Sequence, residues 1–336
     1  MIYAVNSGNY TGTVFLLNDI IRMKYGVGAL LYSPAINNKT ADKVISQVFG
    51  DKYSLAFCLE DTIGDSAVAA AELQLEESLK KIYIASLTTD IKLPMIFIRV
   101  REPQQIMRIY KMTEKYHKIL TGFIFPKYTV SNADEYNNEM IKINEISENP
   151  IYMMPILESG DIVNLKTRYD ILYGIKQKAD QMNELVLGIR VGGNDFSNEF
   201  AVRRHCDETV YDIMPVAQLL CDILTVFVKD YVVSGPVWEF FSGNKDHWKN
   251  GLENELKLDK LNGFVGKTVI HPSQIPIVNH MLCVDRNDYE DAKKIINWND
   301  DIQVGKSFGG DRMNEVRTNY NWAVKTMILS EIYGVR

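Results

Sequence analysis

Apolar residues in this chain gather into short runs, each closed by glycine, proline or a charged residue. Between them lie longer stretches in which apolar positions recur three or four apart. The short runs predict strands buried on both faces, and the longer stretches predict amphipathic helices. Runs at residues 28–33, 53–59, 94–100, 122–125, 151–157, 185–189, 231–234 and 267–270 give eight strands. Helices are expected over about 39–49 with Asn38 as cap, from Asp65 or Ser66 through Leu79, over 103–117, 133–146 and 211–228, and from Pro272 onward. Residues 1–25 read as polar and irregular. The segment from Asp300 carries Gly305, Gly309 and Gly310, then a helical run with Trp322, Ile328, Leu329 and Ile332, and reads as an appended arm.

Strands alternating with helices pair in parallel through βαβ units. Eight such units close a (β/α)8 TIM barrel, so the fold class expected is α/β, with a barrel over residues 1–300 and a helical arm over 301–336. An open doubly wound sheet is the alternative. No Gly-x-Gly-x-x-Gly follows the first strand and no phosphate-binding loop pattern occurs, which speaks against it.

The chain has 336 residues, 46% hydrophobic and 24% charged, ordinary for a large globular core. A net charge of -6 without a basic stripe argues against a nucleic-acid binder. Cys58, Cys206, Cys221 and Cys283 are far apart, which suits free thiols in a reducing compartment better than disulfides or a zinc site. No apolar run reaches membrane-spanning length, so a cytoplasmic protein is expected.

A parallel barrel sets its reactive groups at the C-terminal ends of its strands. The polar residues at those places are Glu60, Asp61, Arg99, Arg101, Lys127, Glu158, Asp195 and His271. Glu158 directly follows one apolar run, and Asp195 follows the next after a turn with Gly192 and Gly193. Two carboxylates on adjacent strand ends, completed by water, suit Mg2+ or Mn2+. An arginine facing them can hold a carboxylate or enolate oxygen with two hydrogen bonds. His271 fits a general base or, more simply, a tie between a strand end and the next loop. His117, His205, His247 and His280 show no zinc spacing, and no Gly-x-Ser-x-Gly elbow occurs.

Several stretches together resemble the citrate lyase β-subunit-like branch of the HpcH/HpaI aldolase superfamily, in order over roughly residues 28–300. They are Phe57-Cys-Leu-Glu-Asp61, Ile98-Arg-Val100, Phe125-Pro-Lys127, Pro155-Ile-Leu-Glu158, Leu187-Gly…Asp195 and Gly263-Phe-Val-Gly-Lys-Thr-Val-Ile-His-Pro-Ser-Gln274. The resemblance implies a TIM barrel, Mg2+ on Glu158 and Asp195, and Arg99 holding substrate. It implies carbon–carbon bond cleavage or formation next to a carboxylate or thioester, through a metal-stabilised enolate. Arg99 with Glu60 and Asp61 is then the expected catalytic group, and Arg101 and Lys127 join Arg99 in substrate binding. Gly310-Asp-Arg-Met-Asn-Glu315 resembles the family's C-terminal glycine-x-methionine pattern and puts Glu315 where a catalytic aspartate falls. The family's glycine and arginines for coenzyme A phosphates have no counterpart in Pro34-Ala-Ile-Asn-Asn-Lys39, which argues against that cofactor. The expected partners are a small carboxylate or acyl thioester and further copies of the chain. The competing expectation is a metabolite-binding barrel without lyase turnover, in a stress-response or biosynthetic assembly.

Overall fold

A computed structural model describes residues 4–5, 14–15, 17–243 and 246–336. The chain forms two compact units, residues 27–278 and the described part of 1–26 with 279–336.

In the larger unit the apolar runs form seven parallel strands. They are β1 (Ala29–Pro34), β2 (Ser54–Cys58), β3 (Met95–Arg99), β4 (Gly122–Phe125), β5 (Tyr152–Leu157), β6 (Arg190–Val191) and β7 (Lys267–Val269). Their order in the sheet is β6-β5-β4-β3-β2-β1-β7. The two edges meet through residues 231–235, where single parallel bridges join Ile189 to Val233 and Gly235 to Lys267. Ser234 N–H donates to the Ile189 carbonyl at 2.9 Å and Gly235 N–H to the Gly266 carbonyl at 3.0 Å. The ring therefore closes as the TIM barrel that the alternation predicts, with one position held by bridges instead of a ladder.

The register fixes which side chains face inward. Partners in a parallel ladder point the same way. Leu30 pairs with Thr268, Tyr32 with Ala56, Cys58 with Arg99, Arg99 with Ile124, Ile124 with Met154, and Ile156 with Arg190. The neighbouring set contains Lys267, which reaches Glu255 and Asp259 on the helix His247–Asn262. That set faces the helices, so Tyr32, Arg99, Arg190 and Thr268 face the barrel interior.

Several elements differ from expectation. The sixth strand does not end at residue 189 but continues through Arg190–Val191. The apolar run stops at Ile189 only because an inward position there is arginine. The helix expected over 39–49 is Thr40–Ile45, since Gln47 takes a left-handed φ of 58°. The helix expected over 103–117 is Pro103–Met112 followed by a 3-10 turn, Glu114–Ile119. Residues 133–146 form the helix Ala133–Ile146 as expected. The helix His247–Asn262 has no counterpart in the sequence reading. Of residues 1–25, read as irregular, Asp19 onward belongs to the helix Asp19–Gly26, and Ala4–Val5 pairs with Val14–Phe15; the others in that range, 17–18 apart, lie outside the described residues.

In the smaller unit the helices Arg286–Ile296 and Val316–Tyr333 pack through Ala292, Ile295 and Ala323. A hairpin, Val304–Lys306 with Met313–Glu315, precedes the last helix. Asp291 anchors it, accepting from Asn314 Nδ2 at 2.8 Å and Arg312 Nη2 at 2.9 Å. Among the described residues no helix is long and apolar enough to cross a membrane.

Candidate active site

Parallel pairing puts the C-terminal ends of the strands on one rim, and there the polar residues after β2, β3, β4, β5 and β6 converge. Arg99 ends β3 and is 7% exposed. Its Nη2 lies 2.6 Å from Glu60 Oε2, 2.9 Å from Asp61 Oδ2 and 3.2 Å from Glu158 Oε1. Burial disfavours its charge, but Tyr32, Glu158 and Glu60 outweigh that and hold the guanidinium firmly protonated. Its Nε is buried without a hydrogen-bond partner.

Lys127 follows β4 with a φ of 47°, a left-handed conformation that costs a non-glycine residue about 1–2 kcal/mol. That backbone lets one residue address two acids. Its N–H donates to Glu158 Oε1 at 3.1 Å while its Nζ donates to Glu60 Oε1 at 3.0 Å.

Glu158 follows β5 and is 5% exposed. Burial pushes its carboxyl up to about 7; Arg99 opposes this and Asp195 adds to it. Asp195 sits in the first turn of the short helix Gly193–Glu199, and its carboxyl is also raised, by burial and then by Asp61. Gly192 joins the two. A Cβ there would stand 2.6 Å from Glu158 Oε2 and 2.8 Å from Asp195 Oδ2, so only glycine lets both carboxyls face this space. Asp61 behaves in the opposite way. Burial resists its ionisation, yet its hydrogen bond with Glu60 and the charges of Arg99 and Lys127 lower its pKa.

Six of the sequence-predicted residues thus come together: Glu60, Asp61, Arg99, Lys127, Glu158 and Asp195. Four carboxyls face two cations. Among the described residues no three His, Cys, Asp or Glu side chains converge as a ready ligand set, so a metal here would rest on two carboxylates and water.

Arg101 is engaged elsewhere. Its guanidinium donates to the carbonyls of Leu59 at 3.2 Å and Ile63 at 2.8 Å and pairs with Asp65, clasping the turn that carries Glu60 and Asp61. His271 caps the turn Pro272–Gln274, its Nδ1 2.8 Å from Ser273 Oγ and its ring stacked on Phe241. Glu315 belongs to the smaller unit, at the start of the helix Val316–Tyr333, where its N–H donates to Asn319 Oδ1 at 2.9 Å. The sequence reading missed Arg190 and the inward hydroxyls of Tyr32 and Thr268. Carrying the strand alternation one residue past Ile189 would have turned Arg190 inward.

A family described as carbon–carbon bond lyases of the TIM-barrel fold matches residues 21–335. Among solved structures, the protein CitE from Mycobacterium tuberculosis, in complex with magnesium, acetoacetate and coenzyme A, is similar. Its TM-score is 0.61 at 14% identity, over 92% of this chain and 99% of that one. The citrate lyase beta subunit from M. tuberculosis, complexed with oxaloacetate and magnesium, gives 0.51 at 15% identity, over 77% of this chain and 98% of that one. RipC from Yersinia pestis gives 0.50 at 13% identity, over 77% and 95%. At such identities the likeness shows the fold alone. No curated protein matches the chain in sequence. The closed parallel ring agrees with a match that spans nearly the whole sequence, and the chain belongs to the TIM-barrel family of carbon–carbon bond lyases.

Proposed function

We propose that the rim cluster is the active site of a Mg2+-dependent lyase. It cleaves or forms a carbon–carbon bond next to a carboxylate in a small oxo or hydroxy acid, or in its acyl thioester. The observation that carries this reading is the charge imbalance. Four carboxyls surround two cations, and the two that face Gly192 have raised pKa values. A buried surplus of negative charge is costly unless something positive joins it. Glu158 and Asp195 would hold Mg2+, whose preference for hard oxygen ligands and retained water fits two carboxylates. When bound, the ion would supply positive charge to the substrate oxygen on which negative charge develops as the bond breaks.

The chain's own residues do the rest. The unpartnered Nε–H of Arg99 is a donor left for a substrate oxygen, and its location makes that hydrogen bond worth more than in water. Glu60 is a positioning residue, since it holds Nη2 of Arg99 and Nζ of Lys127 on its two oxygens. Lys127, half exposed, brings a positive charge to the entrance for a carboxylate substrate. Asp61, half exposed and held ionised, steadies Nη2 of Arg99 from the solvent side. The magnesium complexes of CitE with acetoacetate and of the citrate lyase beta subunit with oxaloacetate support a ligand of this class.

The test incubates the purified chain and Mg2+ with 2-hydroxy acids, 2-oxo acids and acyl-coenzyme A esters, and assays release of pyruvate, glyoxylate or an acetyl group. Calorimetry measures Mg2+ binding in parallel. Product release that needs Mg2+ and disappears in Glu158→Gln is expected. Unchanged Mg2+ affinity in both Glu158→Gln and Asp195→Asn would overturn the reading.

A further inference from the structure

Deeper in the barrel than the rim cluster lies a second group of polar residues that the proposed reaction does not use. Arg190 is 2% exposed and points inward from β6. Nothing negative balances it: its electrostatic neighbours are Tyr32 and Arg99, and burial lowers its pKa. One nitrogen, Nη2, donates to Thr268 Oγ1 at 2.6 Å, while Nε is buried and has no partner. The Ser234 hydroxyl is also buried without a partner, and the Tyr32 hydroxyl, with no other partner, interacts with the Arg190 guanidinium. Ser234 follows Val233, the bridge partner of Ile189, and so faces the same way as Arg190, which follows Ile189. Thr268 and Tyr32 belong to the same inward set. Tyr32 interacts with Arg190, Arg99 and Glu158 together, which sets its hydroxyl between this group and the rim cluster.

A buried guanidinium with no counter-charge is costly, because desolvation of its charge is not offset by a partner. Unpaired buried donors add to that cost. Arg190 Nε and Ser234 Oγ, both left open in the same interior layer, are explained together if an acceptor from outside completes them. We propose that Arg190, Tyr32, Ser234 and Thr268 form an anion site in the barrel interior, and that it takes a second carboxylate of the substrate. The substrate is then a short dicarboxylate, with one end at Arg99 and the acid pair and the other at Arg190. A single guanidinium neutralises a single charge, and its planar fork matches a carboxylate, which favours that group over a phosphate. The existence of the anion site is independent of the lyase reading; the identity of its occupant as the substrate's far end rests on that reading.

The experiment compares acids that differ only by the second carboxylate: malate against lactate, and oxaloacetate against pyruvate. Each is titrated by calorimetry into the full chain in excess Mg2+. The native protein is expected to bind each dicarboxylate at least about tenfold more tightly than its partner, the scale of a charged hydrogen bond. Arg190→Gln is expected to erase that preference, weakening malate and oxaloacetate while lactate and pyruvate stay within about twofold. Tyr32→Phe, which keeps the buried ring, is expected to give a loss of about three- to tenfold for the dicarboxylates alone. It decides the matter if Arg190→Gln does not fold. Equal affinities in the native protein, or equal losses for both kinds of acid in the variants, would overturn the site. The two readings fail differently. Selective dicarboxylate binding without any product release sinks the lyase and keeps the anion site. Product release unaffected by Arg190→Gln keeps the lyase and sinks the anion site.

Discussion

On the outer face of β7, Lys267 is wholly buried between Glu255 Oε1 at 2.8 Å and Asp259 Oδ2 at 2.7 Å. Arg204 joins Glu255 at 3.4 Å, Val210 N–H donates to Glu255 Oε2 at 2.7 Å, and the Tyr211 hydroxyl donates to Asp259 Oδ1 at 2.6 Å. Two cations meet two carboxyls, and each carboxyl oxygen is bound. The rim cluster has the same ingredients and a different balance. Arg99 and Lys127 face four carboxyls, and Asp61 and Asp195 remain partly open to solvent. The first arrangement fastens the helix His247–Asn262 to the barrel wall. The second keeps surplus negative charge partly open to solvent, which supports the proposal that it takes a cation and a substrate. Completeness of pairing, more than burial, separates a structural ion cluster from a chemical one.

The largest effect expected is on the rim. Glu158→Gln removes one of the two carboxylates facing Gly192 and is expected to reduce turnover by at least about a thousandfold, with Mg2+ binding lost in calorimetry. Its thermal stability should hold or rise, because burial disfavours that charge more than Arg99 and the Lys127 N–H favour it. A variant that melts early while binding Mg2+ normally would make the rim cluster a fastener like the other.

Lys267→Met is the counterpart on the outer face. It strands Glu255 and Asp259 without their cation and is expected to cost about 3–5 kcal/mol in urea unfolding. The folded fraction should bind Mg2+ with native affinity. If turnover falls and stability does not, the two clusters have been assigned the wrong way round.

Arg99→Lys keeps the charge and can keep the contacts that Nη2 makes to Glu60, Asp61 and Glu158, but it loses the planar guanidinium and its free Nε–H. Turnover is expected to drop about a hundredfold, mostly in kcat, since the donor acts on charge that develops during the reaction.

Proton linkage gives a graded test of the same imbalance. Glu158 has its pKa raised from 4.5 to about 7, by burial first. Between those values the folded chain keeps a proton that the unfolded chain has released. The metal-free protein therefore loses stability as pH rises through that window, and the loss stops above about 7. Mg2+ must displace the same proton, so its affinity is expected to climb by up to about tenfold per pH unit below 7 and then level off. An affinity flat between about pH 5.5 and 8 would mean that Glu158 is ionised before the metal arrives.

How much of this was readable from the residues differs between the clusters for physical reasons. Rim acids and arginines stand directly after apolar runs, so the rule that parallel strands share one active rim finds Glu60, Asp61, Arg99, Lys127 and Glu158 without coordinates. The outer cluster was hidden because its helix buries Trp248, Gly251, Leu252, Glu255, Leu256 and Asp259. The spacing is helical, but half of that face is glycine or acid, so an apolar count passes over it. Arg190 was hidden in the same way, an inward cation ending an apolar run before its strand ended. Polar residues facing a core are what hydrophobic patterning reads as loop, and both clusters contain them.

The smallest effect is expected at Arg101, which tests whether proximity to the rim is enough for a role in binding. The sequence places it two residues past Arg99, at the same end of the barrel, and alternation would turn it to the same face. In the structure its guanidinium is occupied by the carbonyls of Leu59 and Ile63 and by Asp65, all within the loop that follows β2. A substrate carboxylate would have to break those bonds to reach it, and it would gain only a partner of equal kind. Arg101→Gln should therefore loosen the loop that carries Glu60 and Asp61 and leave the substrate's own contacts intact. The expected loss is about 1–2 kcal/mol of stability and a few-fold in kcat, with KM within about twofold. A tenfold rise in KM at unchanged stability would return Arg101 to the substrate and move the boundary of the site outward.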